Sequence, residues 1–191
     1  MDAVKPHGWI ILDKPLELGS TQAVGAVKRN LREAGLLGKG KDKLVGHGGT
    51  LDPLATGVLP IAIGEATKLC GRMLDASKIY EFTIGFGAET ETLDVEGAVT
   101  ETSDNRPTLT EVEAVLPQFT GPIEQIPPKY SALKIDGRRA YDLARAGEAV
   151  EMKMRGVEIY ALAVRYPDTA DEPLEEVTLV ATVSKGTYIR S

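Results

Sequence analysis

Two periods run through the hydrophobic positions of this chain, and they divide it into strands and helices. Gly8–Leu12 is apolar throughout, as in a short buried strand, and Asp13-Lys14-Pro15 ends it. Ala23, Val24, Val27 and Leu31 then recur every three or four residues. That spacing predicts a helix through Ala34, with Ser20 as N-cap and Gly35 just past its end. Residues 38–43, Gly-Lys-Gly-Lys-Asp-Lys, predict a mobile loop. Val58–Ile63 reads as a strand and Glu65 to Leu74 as a helix. Ile79–Phe86 alternates: Tyr80, Phe82, Ile84 and Phe86 share one face, while Glu81 and Thr83 lie on the other. Thr110 and Glu113 have capping-box spacing beside Val112, Val115, Leu116 and Phe119. Ala132–Arg139 reads as a hairpin turning at Asp136-Gly137, and Ala140–Ala146 as a short helix ended by Gly147. Val157–Val164 and Val177–Val183 read as strands. Without a regular βαβ alternation or an internal repeat, the order predicts an α+β fold: a mixed, largely antiparallel sheet flanked by helices.

Length and composition change this picture little. The chain has 191 residues and is 42% hydrophobic, enough for one domain over 1–191 with a sizeable core and too apolar for a disordered segment. Cys70 is the single cysteine, so neither an internal disulfide nor a CxxC zinc site is available. His7 and His47 make no HExxH pair, and no metal is expected. The apolar patch Trp9–Leu12 is too short for a signal sequence or a membrane span. These features predict a cytoplasmic monomer with no membrane partner.

Charge changes the picture more. The net charge is −6, but residues 89–113 sum to −7 and residues 168–176 to −5, which leaves +6 on the remainder. Lys28, Arg29, Arg32, Lys39, Lys41 and Lys43 form one basic cluster, and Lys129, Lys134, Arg138, Arg139 and Arg145 another. Two such clusters beside short Gly-rich loops suit a phosphate backbone, and equally suit two solvated faces.

The most informative segment is 46–64, GHGGTLDPLATGVLPIAIG. It holds one carboxylate, Asp52, in a Gly-rich apolar run, and Pro53 biases Asp52 toward an extended backbone. A carboxylate leading into a core strand is expected to be partly desolvated and to need a cation. The plainer reading is an Asx turn at Asp-Pro. No GxxxxGK[ST] or GxGxxG competes for these glycines, so no nucleotide cofactor is implied. The acidic string Thr90–Gly97 lacks EF-hand order.

These residues carry a resemblance. GHGGTLDPLATGVLPIAIGEATK resembles the catalytic motif of the bacterial tRNA pseudouridine synthase B (TruB) family. The likeness continues in Lys78-Ile79-Tyr80, in Thr90–Asp94, in Gln125–Lys134 and in Ser184–Ser191, in family order along nearly the whole chain. The resemblance implies the pseudouridine synthase catalytic fold, with a central RNA-binding cleft where the Asp52 loop, the Tyr80 strand and the Arg190 segment meet. It implies isomerisation of the uridine at position 55 in the tRNA T loop to pseudouridine, without cofactor or metal. Asp52 would be the catalytic carboxylate, Tyr80 would lie against the flipped uracil, and Arg190 would be the cation paired with Asp52. His47 would fill the gap left by flipped bases, Tyr188 would contact the target uridine, and Lys134 and Lys185 would hold substrate.

The chemistry suits these roles. An arginine-paired carboxylate stays ionised at neutral pH, and aromatic faces recover part of the stacking an extruded base loses. Two departures stand out: Glu91 where the family has aspartate in Thr-Asp-Thr-x-Asp, and Gly48 where many members have threonine. Family members continue past the position of Ser191 and carry a C-terminal PUA domain, so this chain is expected to be a catalytic domain incomplete at its C-terminus. Two alternatives remain open: a non-catalytic tRNA-binding or folding module, and a metal-dependent phosphoryl-transfer enzyme built on Asp94 and Glu96.

Overall fold

A computed structural model describes residues 6–38, 40, 44–131, 133–135, 137–148, 151–166 and 172–191. The expected loop at 38–43 falls largely outside these residues, as do Ala132 and Asp136 of the expected hairpin. The chain divides into two compact units, Met1–Ala76 and Ser77–Ser191.

In the first unit, strands β1 (Gly8–Lys14), β2 (Val45–His47) and β3 (Gly57–Ile63) form an antiparallel sheet of order β1-β3-β2. β3 is paired on both edges, and Leu59 and Ile61 are 0% exposed. Each such side chain contributes about 1.5–3 kcal/mol of burial energy. Helix α1 (Ser20–Glu33) lays Ala23 and Val24, flanked by Val27 and Leu31, against Val45, Leu59 and Ile61, so the predicted apolar stripe faces the sheet. The predicted Gly35 ends it: at φ +69, with Gly35 N donating to Arg32 O and Leu36 N to Leu31 O, it forms a Schellman motif.

The start of α1 differs from expectation. Gly19 is the N-cap and Ser20 the first helical residue. Gln22 Oε1 accepts from Gly19 N at 2.9 Å, so the Ser20 hydroxyl is not needed at the helix end. The helix expected over Glu65 to Leu74 is two pieces, a 3-10 helix Gly64–Leu69 and α2 (Cys70–Asp75). Thr67 Oγ1 donates to Gly64 O at 2.7 Å, which favours the tighter turn.

The second unit is built on a four-stranded antiparallel sheet of order β4-β11-β10-β7, with β4 (Lys78–Gly85), β7 (Gly121–Gln125), β10 (Arg155–Val164) and β11 (Glu176–Val183). Val177, Leu179, Ala181 and Val183 are all buried, as the alternation predicts. Phe82 and Tyr80 pack on the same core, and α3 (Leu109–Val115) adds Val112. The capping box of α3 lies two residues earlier than expected: Thr108 Oγ1 accepts from Glu111 N, and Glu111 Oε2 accepts from Thr108 N. Two overlapping T-x-x-E patterns occur there, and the earlier one lengthens a helix that is only 7 residues long.

Two hairpins complete this unit. β5 (Ala88–Thr90) pairs with β6 (Val99–Thr102), and β8 (Lys134–Ile135) with β9 (Arg138–Arg139), the latter where the sequence predicts it and leading into α4 (Ala140–Arg145). The α+β reading holds. The described ladders are antiparallel and distributed over four sheets rather than one. No described helix is long and apolar enough to cross a membrane.

Candidate active site

The loop between β2 and β3 is fixed on both sides of Asp52. On one side, the buried Ser20 hydroxyl donates to Leu51 O and accepts from Leu51 N, each at 2.9 Å. On the other, Pro53 O accepts from Glu17 N at 2.8 Å and from Lys14 Nζ at 3.4 Å. Ala55 N closes a turn onto Asp52 O at 3.0 Å. Lys14 is 0% exposed and also donates to Leu18 O at 2.7 Å and Pro15 O at 3.0 Å. Burial pushes the Lys14 pKa down, and the negative charge of Asp52 partly offsets that.

The expectation of a partly desolvated Asp52 is corrected here, because Asp52 is exposed. The buried groups are the ones that clamp its neighbours, so the loop's backbone is held from inside. His47 ends β2 opposite Ile61 and is half-buried. Among the described residues, the buried side-chain polar atoms without a hydrogen-bond partner are His47 Nδ1 and Ser131 Oγ.

The departure at Gly48 has a local cause. A Cβ there would lie 2.7 Å from Met73 Cβ and 3.4 Å from Pro60 Cγ, so α2 fills the space a side chain would need. Gly48→Thr is expected to destabilise the first unit by about 1–3 kcal/mol. The fluorescence of Trp9, the single tryptophan, sits in β1 and should report this as a lower unfolding midpoint. Gly49→Ala, with nothing within 4 Å of its Cβ, should leave the midpoint much closer to that of the parent.

In the second unit, Arg190 is held between two segments. Its Nη1 donates to Thr92 O and Asp94 Oδ2, both at 3.0 Å, and its Nη2 to Tyr130 O at 3.2 Å. The side chains of Arg190 and Asp94 are only 18% and 22% exposed, so this ion pair is shielded from solvent more than a surface pair. Asp94 is in turn fixed by its own turn: Oδ1 accepts from Thr92 Oγ1 at 2.5 Å and from Glu96 N at 3.0 Å. Gly97 is required there, since a Cβ would lie 2.7 Å from Thr92 N. With both Asp94 oxygens engaged, the acidic turn is arranged as an arginine receptor rather than a cation cage.

The resemblance pairs Arg190 with Asp52, a residue of the first unit; within the second unit Arg190 pairs with Asp94. Tyr80 lies on β4 opposite Ala181, half-buried against Ile159, Ala181 and Val183. Tyr188 is half-buried, and its backbone is pinned to β7 through Gln125: Oε1 accepts from Tyr188 N at 3.1 Å, and Nε2 donates to Tyr188 O at 3.2 Å. Lys185 is exposed in the turn after β11. The backbone of Lys134 lies in β8, but its side chain is outside the described residues, as are Lys39, Lys41 and Lys43 of the first basic cluster. Asp52 and His47 thus belong to the first unit, and Tyr80, Tyr188, Lys185 and Arg190 to the second. Sequence reasoning missed Lys14, Ser20 as a loop clamp, and Tyr130. For Lys14 the signal was a lysine placed between a core strand and a proline.

The chain is similar to several known proteins. The model of the TruB family pseudouridylate synthase (N terminal domain) matches residues 38–189. A tRNA pseudouridine synthase B of Novosphingobium aromaticivorans is 66% identical over 184 residues, covering 96% of this chain and 59% of that protein. One of Zymomonas mobilis is 60% identical over 185 residues, covering 97% and 58%. The chain therefore spans about three fifths of the length of these curated relatives. Among solved structures, a Cbf5-Nop10-Gar1 complex superposes with TM-score 0.61 at 29% identity, over 96% of this chain and 41% of that one. An H/ACA RNP bound to a substrate RNA containing 2'-deoxyuridine gives 0.62 at 26%, over 96% and 40%. The clamped Gly-rich loop, the sheets and these matches lead to one assignment: the chain belongs to the TruB family of pseudouridylate synthases.

Proposed function

We propose that this chain is the catalytic part of an enzyme that isomerises uridine to pseudouridine in the T stem-loop of tRNA, at position 55, working as a cytoplasmic monomer. The observation that carries the reading is the Asp52 loop, whose neighbours Leu51 and Pro53 are held by Ser20 and Lys14 while Asp52 itself is an exposed residue. An exposed acid on a fixed backbone is suited to approach a nucleotide brought to it. The relatives named tRNA pseudouridine synthase B support tRNA as the substrate.

Asp52 acts on the ribose-base unit, by attack or by taking a ribose proton. The C1′–N1 bond breaks, the uracil turns over, C5 bonds to C1′, and the C5 hydrogen leaves as a proton. The step is redox-neutral and needs no co-reactant. Arg190 supplies the cation of the site, and Asp94 holds that cation in a fixed orientation. Tyr80 lies against the uracil and takes the C5 proton, while Tyr188 contacts the same base. His47 meets the RNA where bases have left the stack. Lys134 and Lys185 meet phosphates.

The test is tritium release from a T-arm RNA labelled at uridine C5, because pseudouridine formation must expel that hydrogen. Release that stops when the labelled uridine is moved one nucleotide along the loop supports the assignment. Binding without release favours the non-catalytic module instead.

A further inference from the structure

The two segments that grip Arg190 are also bonded to each other, outside the grip itself. Tyr130 Oη donates to Glu91 Oε1 at 2.7 Å. Tyr130 is the residue whose carbonyl receives Arg190 Nη2, and Glu91 directly precedes Thr92, whose carbonyl receives Nη1. The contacts therefore close a ring: guanidinium to turn, turn to Glu91, Glu91 to Tyr130, Tyr130 back to guanidinium. We propose that the Tyr130–Glu91 hydrogen bond is a positioning contact that sets the spacing of the two acceptor segments and so fixes the orientation of the Arg190 guanidinium. This rests on the proposed function for its catalytic consequence, though not for its structural one.

The physical argument concerns the arginine's planarity. A guanidinium presents donors in one rigid fork, so it is held firmly only if its acceptors keep fixed relative positions. The turn is rigid by itself: Thr90 Oγ1 donates to Asp94 O at 2.6 Å and accepts from Asp94 N at 3.1 Å, and Glu91 N donates to Ala98 O at 3.0 Å. Tyr130 belongs to a separate segment, and Arg190 Nη2 donates to its carbonyl. A bond from its own side chain to the turn orients that carbonyl. This gives the departure at residue 91 a role. Glutamate is one methylene longer than the aspartate usual in the family, and its carboxylate is the group that meets the Tyr130 hydroxyl. Reach rather than charge is then the property that matters at 91.

The test uses Tyr130→Phe, Glu91→Asp, Glu91→Gln and the Tyr130→Phe/Glu91→Asp pair. Its first readout is hydrogen exchange at Arg190 Nε–H by NMR, which needs no turnover. Tyr130→Phe and Glu91→Asp should each speed that exchange by about 5-fold, and the pair by no more than either alone, as expected for partners in one contact. Glu91→Gln, which keeps length and an acceptor oxygen, should stay within about 2-fold of the parent. The second readout is C5 tritium release. kcat should fall by about 3- to 10-fold in the first two variants with KM unchanged, because a positioning contact acts on the chemical step rather than on RNA capture. A generally weakened fold would lower the unfolding midpoint of all four variants together, and that result overturns the proposal. Unchanged Arg190 exchange in both Tyr130→Phe and Glu91→Asp overturns it too, as does faster exchange with an unchanged kcat. If the parent releases no tritium, the functional reading fails alone, and the exchange data still decide the contact.

Discussion

Asp52→Asn should reduce tritium release from C5-labelled T-arm RNA by about 10⁴-fold or more, the scale seen when a reacting group is removed from an otherwise intact site. Asparagine matches aspartate in size, but it is neutral and can neither attack C1′ nor accept a ribose proton. The fold is expected to survive, because the bonds that fix the loop come from Ser20, Glu17 and Lys14 to backbone groups of Leu51 and Pro53. RNA binding should therefore persist while release stops. Asp52→Glu should also lose most activity. With both neighbours clamped, the loop cannot retreat to accommodate an added methylene, and small misplacements of a reacting group cost about 10²-fold. Release by Asp52→Asn within tenfold of the parent would remove Asp52 from the chemistry and leave the family fold without its proposed nucleophile.

The sequence made much of the framework legible and little of the site's wiring, for a physical reason. Periodicity reports which face of an element is buried, so the Ala23-Val24-Val27-Leu31 stripe and the Val177-Leu179-Ala181-Val183 face emerge as predicted. Gly35 and the hairpin of β8 and β9 follow from turn chemistry, since Gly35 and Gly137 take φ +69 and +86. Short strands carry too few residues for a period, and β2, β5, β6 and β7 went unseen. Capping signals place a helix start only within a residue or two, as Gly19 and Thr108 show.

Contacts between distant segments leave no local trace. Arg190 and Asp94 are 96 residues apart, and nothing in either neighbourhood encodes the pairing. Asp52 was legible as a special carboxylate from its glycines and proline. Its exposure was not, because the groups that absorb the cost of burial in that loop are Ser20 and Lys14, both upstream of it.

Lys14→Met should be the most damaging substitution for stability, lowering it by about 3 kcal/mol. Methionine matches the length of the lysine stem but donates nothing. Three carbonyls, of Pro15, Leu18 and Pro53, would lose the lysine's donation inside a site where Lys14 is 0% exposed, and Pro53 would keep the bond from Glu17 N. For a chain of this size the loss corresponds to a drop of about 6–12 °C in the unfolding midpoint, read by Trp9 fluorescence. Lys14→Arg should not rescue it, since a guanidinium needs more room than a fully enclosed ammonium leaves, and overpacking costs about 1–3 kcal/mol. A midpoint within 2 °C of the parent, on the same scale of about 2–4 °C per kcal/mol, would mean that water or a rearranged loop serves those carbonyls equally well. The catalytic consequence separates this residue from an ordinary core position. With Lys14 gone, Pro53 keeps the bond from Glu17 N but loses the one from the lysine, so the Asp52 backbone gains freedom on one side only, because Ser20 still holds Leu51. At a temperature where Lys14→Met is still folded, kcat should therefore fall by about 10-fold, well short of the Asp52→Asn loss, because Asp52 keeps its chemistry and loses only its aim.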